Sequence, residues 1–144
     1  MSKSKQIGTL AETAVVRYLR EHGFGMAERR ALRGADDAGD ITGTPGICWE
    51  IKGGQAAKIA SQAQVDAWLS DTDREAINSG SRIGILVMQR AGYGPLRCGQ
   101  WWAVTHYGSI AFATRSDRLA DMPVHMSLEA MVMVLRESGY GDPL

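Results

Sequence analysis

Cysteine is scarce in this chain of 144 residues, with Cys48 and Cys98 as its two examples. Their spacing matches neither a zinc site nor a disulfide framework, which excludes a disulfide-stapled secreted domain and favours a reducing, cytoplasmic location. Long apolar runs are missing as well, so no segment is expected to span a membrane. The basic start, Met1–Lys5, leads into a mixed helix rather than the apolar core of a secretory signal. We therefore expect neither secretion nor a membrane partner.

An excess of one charge is also missing, because 16 Lys and Arg residues balance 16 Asp and Glu residues. This balance argues mildly against nucleic-acid binding, since proteins that bind phosphates usually carry surplus cations. The distribution is uneven, however, and predicts one basic and one acidic face. Basic residues crowd the first quarter of the chain and acidic residues gather later: Lys3, Lys5, Arg17, Arg20, Arg29, Arg30 and Arg33, against Asp66, Asp71, Asp73 and Glu75.

The length and composition are those of one ordinary domain. With 44% apolar and 22% charged residues, the chain can fill one hydrophobic core but not two. We predict a single domain over residues 1–144, with its candidate site in a core of about 6–90 and a C-terminal strand and helix within 99–140.

The spacing of apolar residues predicts helices mixed with strands. Gly23 follows the first predicted helix where a C-terminal cap is expected, and Ser127 is expected to cap the start of the last. Helices are predicted at 6–22, 57–78 and 127–138, and strands at 24–32, 40–42, 47–52, 83–88 and 101–106. This order predicts an α/β fold in which a small mixed β-sheet is flanked by helices.

Three charged residues of the predicted strands are expected to meet at one place. Glu50 and Lys52 are separated by one residue, so their side chains point to the same face of a strand. If the preceding strand pairs with theirs across the turn at Pro45-Gly46, Asp40 reaches the same neighbourhood.

Two carboxylates beside an ammonium group indicate a hydrolytic metal site. Carboxylates placed close together repel each other unless a cation lies between them, and oxygen ligands favour a hard ion such as Mg²⁺. A neighbouring lysine can orient or help to deprotonate a metal-bound water while the metal stabilises charge on a phosphoryl oxygen. The pattern therefore favours phosphodiester hydrolysis.

The same residues resemble a known family of nucleases. Gly39-Asp40-Ile41 and Glu50-Ile51-Lys52 look like the split acid pair and the E-x-K motif of the PD-(D/E)XK nuclease superfamily. The opening Gly8-Thr9-Leu10-Ala11-Glu12, followed by the segment from Tyr18 to Phe24, is similar to that of archaeal-type Holliday junction resolvases. The resemblance covers the first half to two-thirds of the chain and weakens after Met88.

This resemblance implies a restriction-endonuclease-like fold and a Mg²⁺- or Mn²⁺-dependent endodeoxyribonuclease. Asp40 and Glu50 would be direct metal ligands, and Glu12 a further ligand, direct or through water. Lys52 would be the water-orienting base or a charge stabiliser. The expected substrate is branched DNA such as a Holliday junction, in recombination or repair. Because paired cuts need two active sites, we expect a homodimer.

The chain departs from the family pattern in the first motif. No proline precedes Asp40, and glycine is expected to serve because that position sets backbone shape rather than chemistry. In the helix after E-x-K, Gln64 and Trp68 look like the Q-x-x-x-Y element of recombination-associated nucleases.

Several polar side chains are candidates for contacts to duplex or branched DNA. Three arginines beside a Gly-rich loop precede Asp40 and could follow phosphates at the mouth of the site. Each has an alternative interpretation as a solvated surface residue, and Arg90 is a weaker candidate of the same kind. The candidates are Lys5, Arg29, Arg30, Arg33, Lys58, Gln62 and Gln64.

Less specific interpretations stand beside this one. An E-x-K triplet alone also occurs on solvated hairpins, and Glu12 could be an ordinary residue of a helix surface. The chain could be another nuclease of the superfamily, of restriction, nicking or repair type. It could also be a catalytically silent nucleic-acid-binding module of the same fold.

Overall fold

A computed structural model of the protein describes residues 2–30, 39–111 and 117–144. The first helix, α1, spans Lys3–Glu21 and begins where the Ser2 hydroxyl accepts a hydrogen bond from the N–H of Lys5. It ends at His22, followed by Gly23 with a φ of 100°. This positive φ is the C-terminal signal expected from the sequence.

The strands form one mixed sheet and one short ribbon. β1 (Glu28–Arg29) pairs antiparallel with β2 (Ile41–Thr42). The main sheet has four strands in the order β3-β4-β5-β6, in which β3 and β4 are parallel and the other neighbours antiparallel. Their bounds are Ile47–Lys52 for β3, Ile83–Met88 for β4, Trp102–His106 for β5 and Pro123–Ser127 for β6.

Helices cover both faces of this sheet, so the predicted α/β architecture is confirmed at that level. Helices α2 and α3 connect the parallel strands β3 and β4, and α6 follows β6. The Ser127 hydroxyl accepts from the N–H of Ala130 and caps α6, as predicted. The helices after α1 are α2 (Gly54–Lys58), α3 (Gln62–Asn78), a 3₁₀ helix (Pro95–Gln100), α4 (Tyr107–Ile110), α5 (Asp117–Ala120) and α6 (Leu128–Glu137).

The hydrophobic core lies in two layers separated by the sheet. The larger layer packs α1 and α6 against one face and includes Trp49, Ile51 and Trp101. The smaller layer packs α3 against the other face and includes Leu86 and Met88 of β4. Adjacent strand residues therefore fall into different layers, because side chains alternate along a strand.

Several predicted elements differ from the structure. The helix predicted at 57–78 is two helices, because Ser61 accepts from the N–H of Gln64 and caps a new start. Ile59 lies in the break and is 70% exposed, and Ile77 is 78% exposed. The strand predicted at 24–32 is reduced to Glu28–Arg29 within the described range.

The predicted hairpin between the second and third strands is also wrong, because these two strands do not form a regular ladder. β2 pairs with β1, not with β3. The edge strand β6 was not predicted, since it begins with Pro123 and alternates little in burial. In the part of the chain that the structure describes, no helix is both long and apolar enough to cross a membrane.

Candidate active site

The site is built on β3, whose alternate residues face different layers. Trp49 and Ile51 lie in the larger core layer. Glu50 and Lys52 are opposite Leu86 and Met88 of β4, which belong to the layer under α3. The predicted common face of Glu50 and Lys52 is therefore confirmed, and it is the face covered by α3.

Glu50 is a buried carboxylate with a partner on one of its two oxygens. Its side chain reaches the ammonium group of Lys52, with 3.1 Å between Oε1 and Nζ. The residue is 8% exposed, and its other oxygen, Oε2, is buried without a hydrogen-bond partner in the part of the chain that the structure describes. Leaving a charged oxygen in this state costs free energy, because burial removes water and nothing replaces it.

Lys52 is held between a carboxylate and an aromatic ring. Its Nζ lies 5.5 Å from the centre of the Trp68 ring on α3, a distance suited to a cation–π contact. Burial alone lowers the pKa of Lys52, but the attraction of Glu50 and the weaker attractions of Asp40 and Glu75 outweigh it. The pKa of Lys52 is therefore raised, and its side chain is an ammonium ion at neutral pH.

Asp40 reaches the site along the free edge of β3 instead of through a regular hairpin. Its N–H donates to the carbonyl oxygen of Trp49 at 2.8 Å, and its Oδ2 accepts from the N–H of Ile51 at 2.7 Å. These bonds satisfy two backbone groups that β3, as an edge strand, leaves unpaired. The convergence that the sequence predicts is thus present by a different route.

Gly39 explains how the chain enters this edge. Its φ is 93°, and a Cβ at this position would lie 2.9 Å from the carbonyl oxygen of Trp49. Proline cannot adopt a positive φ, and other L-residues rarely do. The glycine before Asp40 is therefore required by this backbone, whereas the family resemblance suggested a tolerable substitute for proline.

The carboxyl group of Asp40 is buried among other charged groups. Burial raises the pKa of this carboxyl group to about 7, with a further contribution from Glu50 and a smaller one from Glu12. The hydrogen bond from Ile51 and the charge of Lys52 act in the opposite direction but do not cancel the effect. Glu50 and Glu12 are therefore both within electrostatic reach of Asp40.

Glu12 lies on α1 where this helix passes close to the end of β3. The preceding residue, Ala11, lies so close to Gly53 that a Cβ added to Gly53 would be 2.6 Å from the Cβ of Ala11. The Oε2 of Glu12 accepts from Nη2 of Arg29 at 2.8 Å and from Nε at 3.0 Å. Glu12 thus faces the site while its carboxylate is bound to an arginine.

The described residues do not form a complete metal site. Among them, no group of three or more His, Cys, Asp and Glu side chains has the spacing to hold an ion. The residues that could hold one are Asp40 and Glu50, with Glu12 as a third if it leaves Arg29. Such a set supplies oxygen ligands alone, which suits a hard divalent cation.

The remaining predicted DNA contacts are distributed unevenly. Arg30 is exposed, and its backbone N–H donates to the Asp40 carbonyl at 2.8 Å. Gln62 is bound to Asp66 on its own helix at 2.9 Å. Lys5, Lys58 and Gln64 are exposed, and Arg33 lies outside the described residues.

Sequence reasoning points to Gln64 and Trp68 of α3 but misses Glu75 of the same helix. The sequence predicts Glu75 on an acidic face, whereas the residue is 5% exposed and its charge contributes to raising the pKa of Lys52. The signal was its position beside a buried stripe that includes Leu69, Thr72 and Ala76 on one side of the helix. A carboxylate at the margin of such a stripe faces the sheet.

Comparisons of the chain with protein-family models, with curated proteins and with solved structures find no match.

Proposed function

We propose that this protein is a divalent-metal-dependent DNA endonuclease of the PD-(D/E)XK type, with a restriction-endonuclease-like fold. The single observation that carries the proposal is the buried Oε2 of Glu50, which has no hydrogen-bond partner among the described residues. It lies in a site where Asp40 is also difficult to ionise, since its pKa is raised to about 7. A divalent cation bound by both carboxylates would remove both costs at once.

The residues present fit such an ion. Asp40 and Glu50 would hold it through carboxylate oxygens, and Glu12, once released from Arg29, would complete the set directly or through water. When bound, a divalent cation would stabilise the negative charge that grows on a phosphoryl oxygen. The positive charge of the Lys52 ammonium group offsets part of the negative charge of the three carboxylates. The negative charge that remains is one that a divalent ion can balance.

We propose a narrower role for Lys52 than the family resemblance implies. Without a metal, burial lowers the pKa of Lys52, but the charge and hydrogen bond of Glu50 raise it by more, which favours the ammonium form. Its Nζ instead donates to Glu50 and retains two further protons for a phosphate oxygen or a water molecule. We assign to Lys52 the orientation of the attacking water and the stabilisation of charge.

The proposed substrate is branched DNA, cut by a homodimer. Little surface remains beside the site of so small a domain for reading base edges, which favours recognition of DNA shape over sequence. Symmetric cleavage of a four-way junction needs two sites related by a twofold axis, and each chain supplies one.

The direct test is to incubate the protein with a synthetic four-way junction and Mg²⁺ and to map the cut positions. Cleavage should disappear in Asp40→Ala and in Glu50→Ala while DNA binding survives. Asp71→Asn, which removes an exposed carboxylate bound to Arg74, is the matched control and should cut normally. Equal cutting of junction, flap and linear duplex would favour another nuclease of the superfamily.

A catalytically silent DNA-binding module is the second candidate. The observation that favours it is the Glu12–Arg29 ion pair, which occupies one of the proposed ligands. This candidate predicts metal-independent binding of the same junction and no cleavage under any divalent cation. Cleavage that depends on both Asp40 and Glu50 would exclude it.

A further inference from the structure

Four side chains after β4 form a stack in which arginines alternate with aromatic rings. The Cζ of Arg90 lies 4.2 Å from the centre of the Trp102 ring and 5.2 Å from that of Tyr93. The Cζ of Arg97 lies 4.7 Å from the centre of the same Tyr93 ring. We call this set, Trp102, Arg90, Tyr93 and Arg97, the arginine–aromatic ladder.

The ladder begins at the same end of the sheet as the candidate active site. Lys52, Met88 and Trp102 lie at one level of three neighbouring strands, since Lys52 pairs with Met88 and Met88 with Trp102. The chain then leaves β4 through Gln89, whose N–H donates to the Lys52 carbonyl at 2.8 Å. Arg90 is the next residue. Lys52 and the first residues of the ladder therefore lie at one end of the sheet, with Met88, which is 4% exposed, between them.

This region is basic although the whole chain is neutral. The sequence contains no acidic residue between Glu75 and Asp117. Within the described ranges, neither Arg90 nor Arg97 has a carboxylate at ion-pair distance. A third guanidinium group joins them, because Nη2 of Arg17 donates to the carbonyl of Pro95 at 3.4 Å.

We propose that the arginine–aromatic ladder binds the phosphates of a DNA strand that extends from the candidate active site. The proposal rests on the nuclease function proposed above and names a second contact surface for the same substrate. Guanidinium groups already cover the faces of the aromatic rings, so a base cannot stack on these faces. The groups left for a ligand are the N–H donors of the arginines. Such N–H groups match phosphate oxygens in geometry and charge.

Stacking explains why these arginines suit a strand better than ordinary surface residues. An arginine resting on a ring has already lost part of its conformational freedom, so less entropy is lost when a phosphate binds. The spacing along the ladder places successive cations beside successive rings, which fits a polyanion better than a single small anion. Glu129 also lines the cleft beside Tyr93 and Arg97, where it accepts a hydrogen bond from the neutral Gln100 amide at 3.2 Å, so it is an acidic neighbour at one side of the ladder.

The experiment measures binding of a labelled four-way junction by fluorescence anisotropy, with EDTA present so that no cleavage occurs. Arg97→Gln should weaken binding about 3- to 10-fold, and Arg90→Gln with Arg97→Gln by more than about 10-fold. The slope of log K against log salt should fall by about 0.9 for each phosphate of the duplex arms that a variant no longer neutralises. Arg82→Gln is the matched control, because Arg82 is exposed at the opposite end of β4 and should bind as the wild type does.

Arg90 also covers Trp102, so its loss could disturb the fold. Arg90→Lys keeps the charge but loses the planar fork, and its thermal unfolding should match the wild type while affinity falls. Arg97 is exposed, so Arg97→Gln tests the contribution of the ladder to DNA binding without relying on Arg90. Wild-type affinity in both folded variants, together with a wild-type salt slope in Arg97→Gln, would overturn the proposal.

The two proposals fail separately. If the ladder variants weaken DNA binding but no protein ever cuts DNA, the ladder proposal stands and the nuclease proposal falls. If cleavage depends on Asp40 and Glu50 while the ladder variants bind normally, the reverse holds.

Discussion

The six residues of strand β3 point alternately to two faces, and these faces have opposite chemistry. Toward α1, Trp49 and Ile51 lie in a core layer of apolar side chains, and the Trp49 indole donates to the Thr44 hydroxyl at 3.0 Å. Toward α3, Glu50 and Lys52 form a partly buried ion pair, and the second carboxylate oxygen of Glu50 has no hydrogen-bond partner within the described ranges. Packing explains the first face fully but leaves the second unexplained.

The difference indicates which of the two faces stabilises the fold. A buried ion pair is often worth less than an apolar pair of the same shape, because desolvation offsets the attraction between the charges. An orphaned oxygen adds a further penalty. The α3 face therefore reduces stability in the metal-free protein, and a ligand that satisfies Glu50 and Asp40 is the simplest reason to retain it. Opposite effects of substitutions on the two faces would test this contrast.

The largest expected effect is that of Glu50→Met on cleavage. Methionine keeps the length and unbranched shape of the side chain but cannot bind a hard cation. Cleavage of a four-way junction should fall by about 10³-fold or more. The free energy of unfolding without metal should stay level or rise, since the buried charge is gone and Lys52 can turn to water.

Urea denaturation in EDTA measures the second half of this prediction. A fall of several kcal/mol in stability would mean that Glu50 is a structural partner of Lys52. The contrast between the faces would then disappear.

The next largest effect is expected on the opposite face. Trp49→Phe should lower the free energy of unfolding by about 2–3 kcal/mol, because it opens space in a closed core layer and leaves the Thr44 hydroxyl without its donor. Binding of DNA by the molecules that remain folded should change little. A loss below about 0.5 kcal/mol would show that this layer is loosely packed and that β3 owes its position to the charged face.

The sequence alone was sufficient for the elements with strong periodicity. β3 and β4 have the predicted bounds, and the alternation along β3 placed Glu50 and Lys52 on one face correctly. Alternation is a local property of a strand and needs no knowledge of its neighbours. The route of Asp40 was not predictable in this way. It depends on two backbone groups at a sheet edge and on a positive φ at Gly39.

The contacts between elements distant in sequence were equally out of reach. Nothing local links Glu12 to Arg29, or places Glu75 of α3 within reach of Lys52. The arginine–aromatic ladder lies within residues 90–102, but its contact between Arg90 and Trp102 depends on the antiparallel pairing of β4 with β5. Sequence patterns predicted the common face of Glu50 and Lys52 but not the residues that surround it.

A smaller effect is expected from Asp40→Asn, and its sign depends on pH. The folded protein holds the Asp40 proton more tightly than the unfolded chain, because the pKa rises from 3.8 to about 7. The penalty of ionisation is therefore absent below about pH 4, grows as the pH rises and is complete above about pH 7. Each tenfold change in proton affinity is worth about 1.4 kcal/mol, so about 4 kcal/mol is an upper limit. Screening in this partly exposed site reduces the expected gain to about 1–2 kcal/mol.

Unfolding of wild type and Asp40→Asn in EDTA at about pH 4 and about pH 8 measures this effect. The variant should be the more stable protein at the higher pH, and the difference should vanish at the lower one. Added Mg²⁺ should stabilise the wild type at high pH and leave the variant unchanged. An equal difference at both pH values would point to the hydrogen bond with Ile51 instead of the charge.

The smallest effect concerns the ion pair that holds Glu12 on the α1 side of the site. Arg29→Gln should change stability by less than about 1 kcal/mol, because the arginine side chain is 43% exposed and such pairs contribute little. It should lower the Mg²⁺ concentration needed for half-maximal cleavage about 3- to 10-fold, since a carboxylate is released and a competing cation is removed. Arg74→Gln breaks a similar pair with Asp71 on α3 and should leave the Mg²⁺ requirement unchanged. If Arg29→Gln raises the requirement instead, as Glu12→Gln is expected to do, the arginine holds Glu12 in place for the metal and does not compete with it.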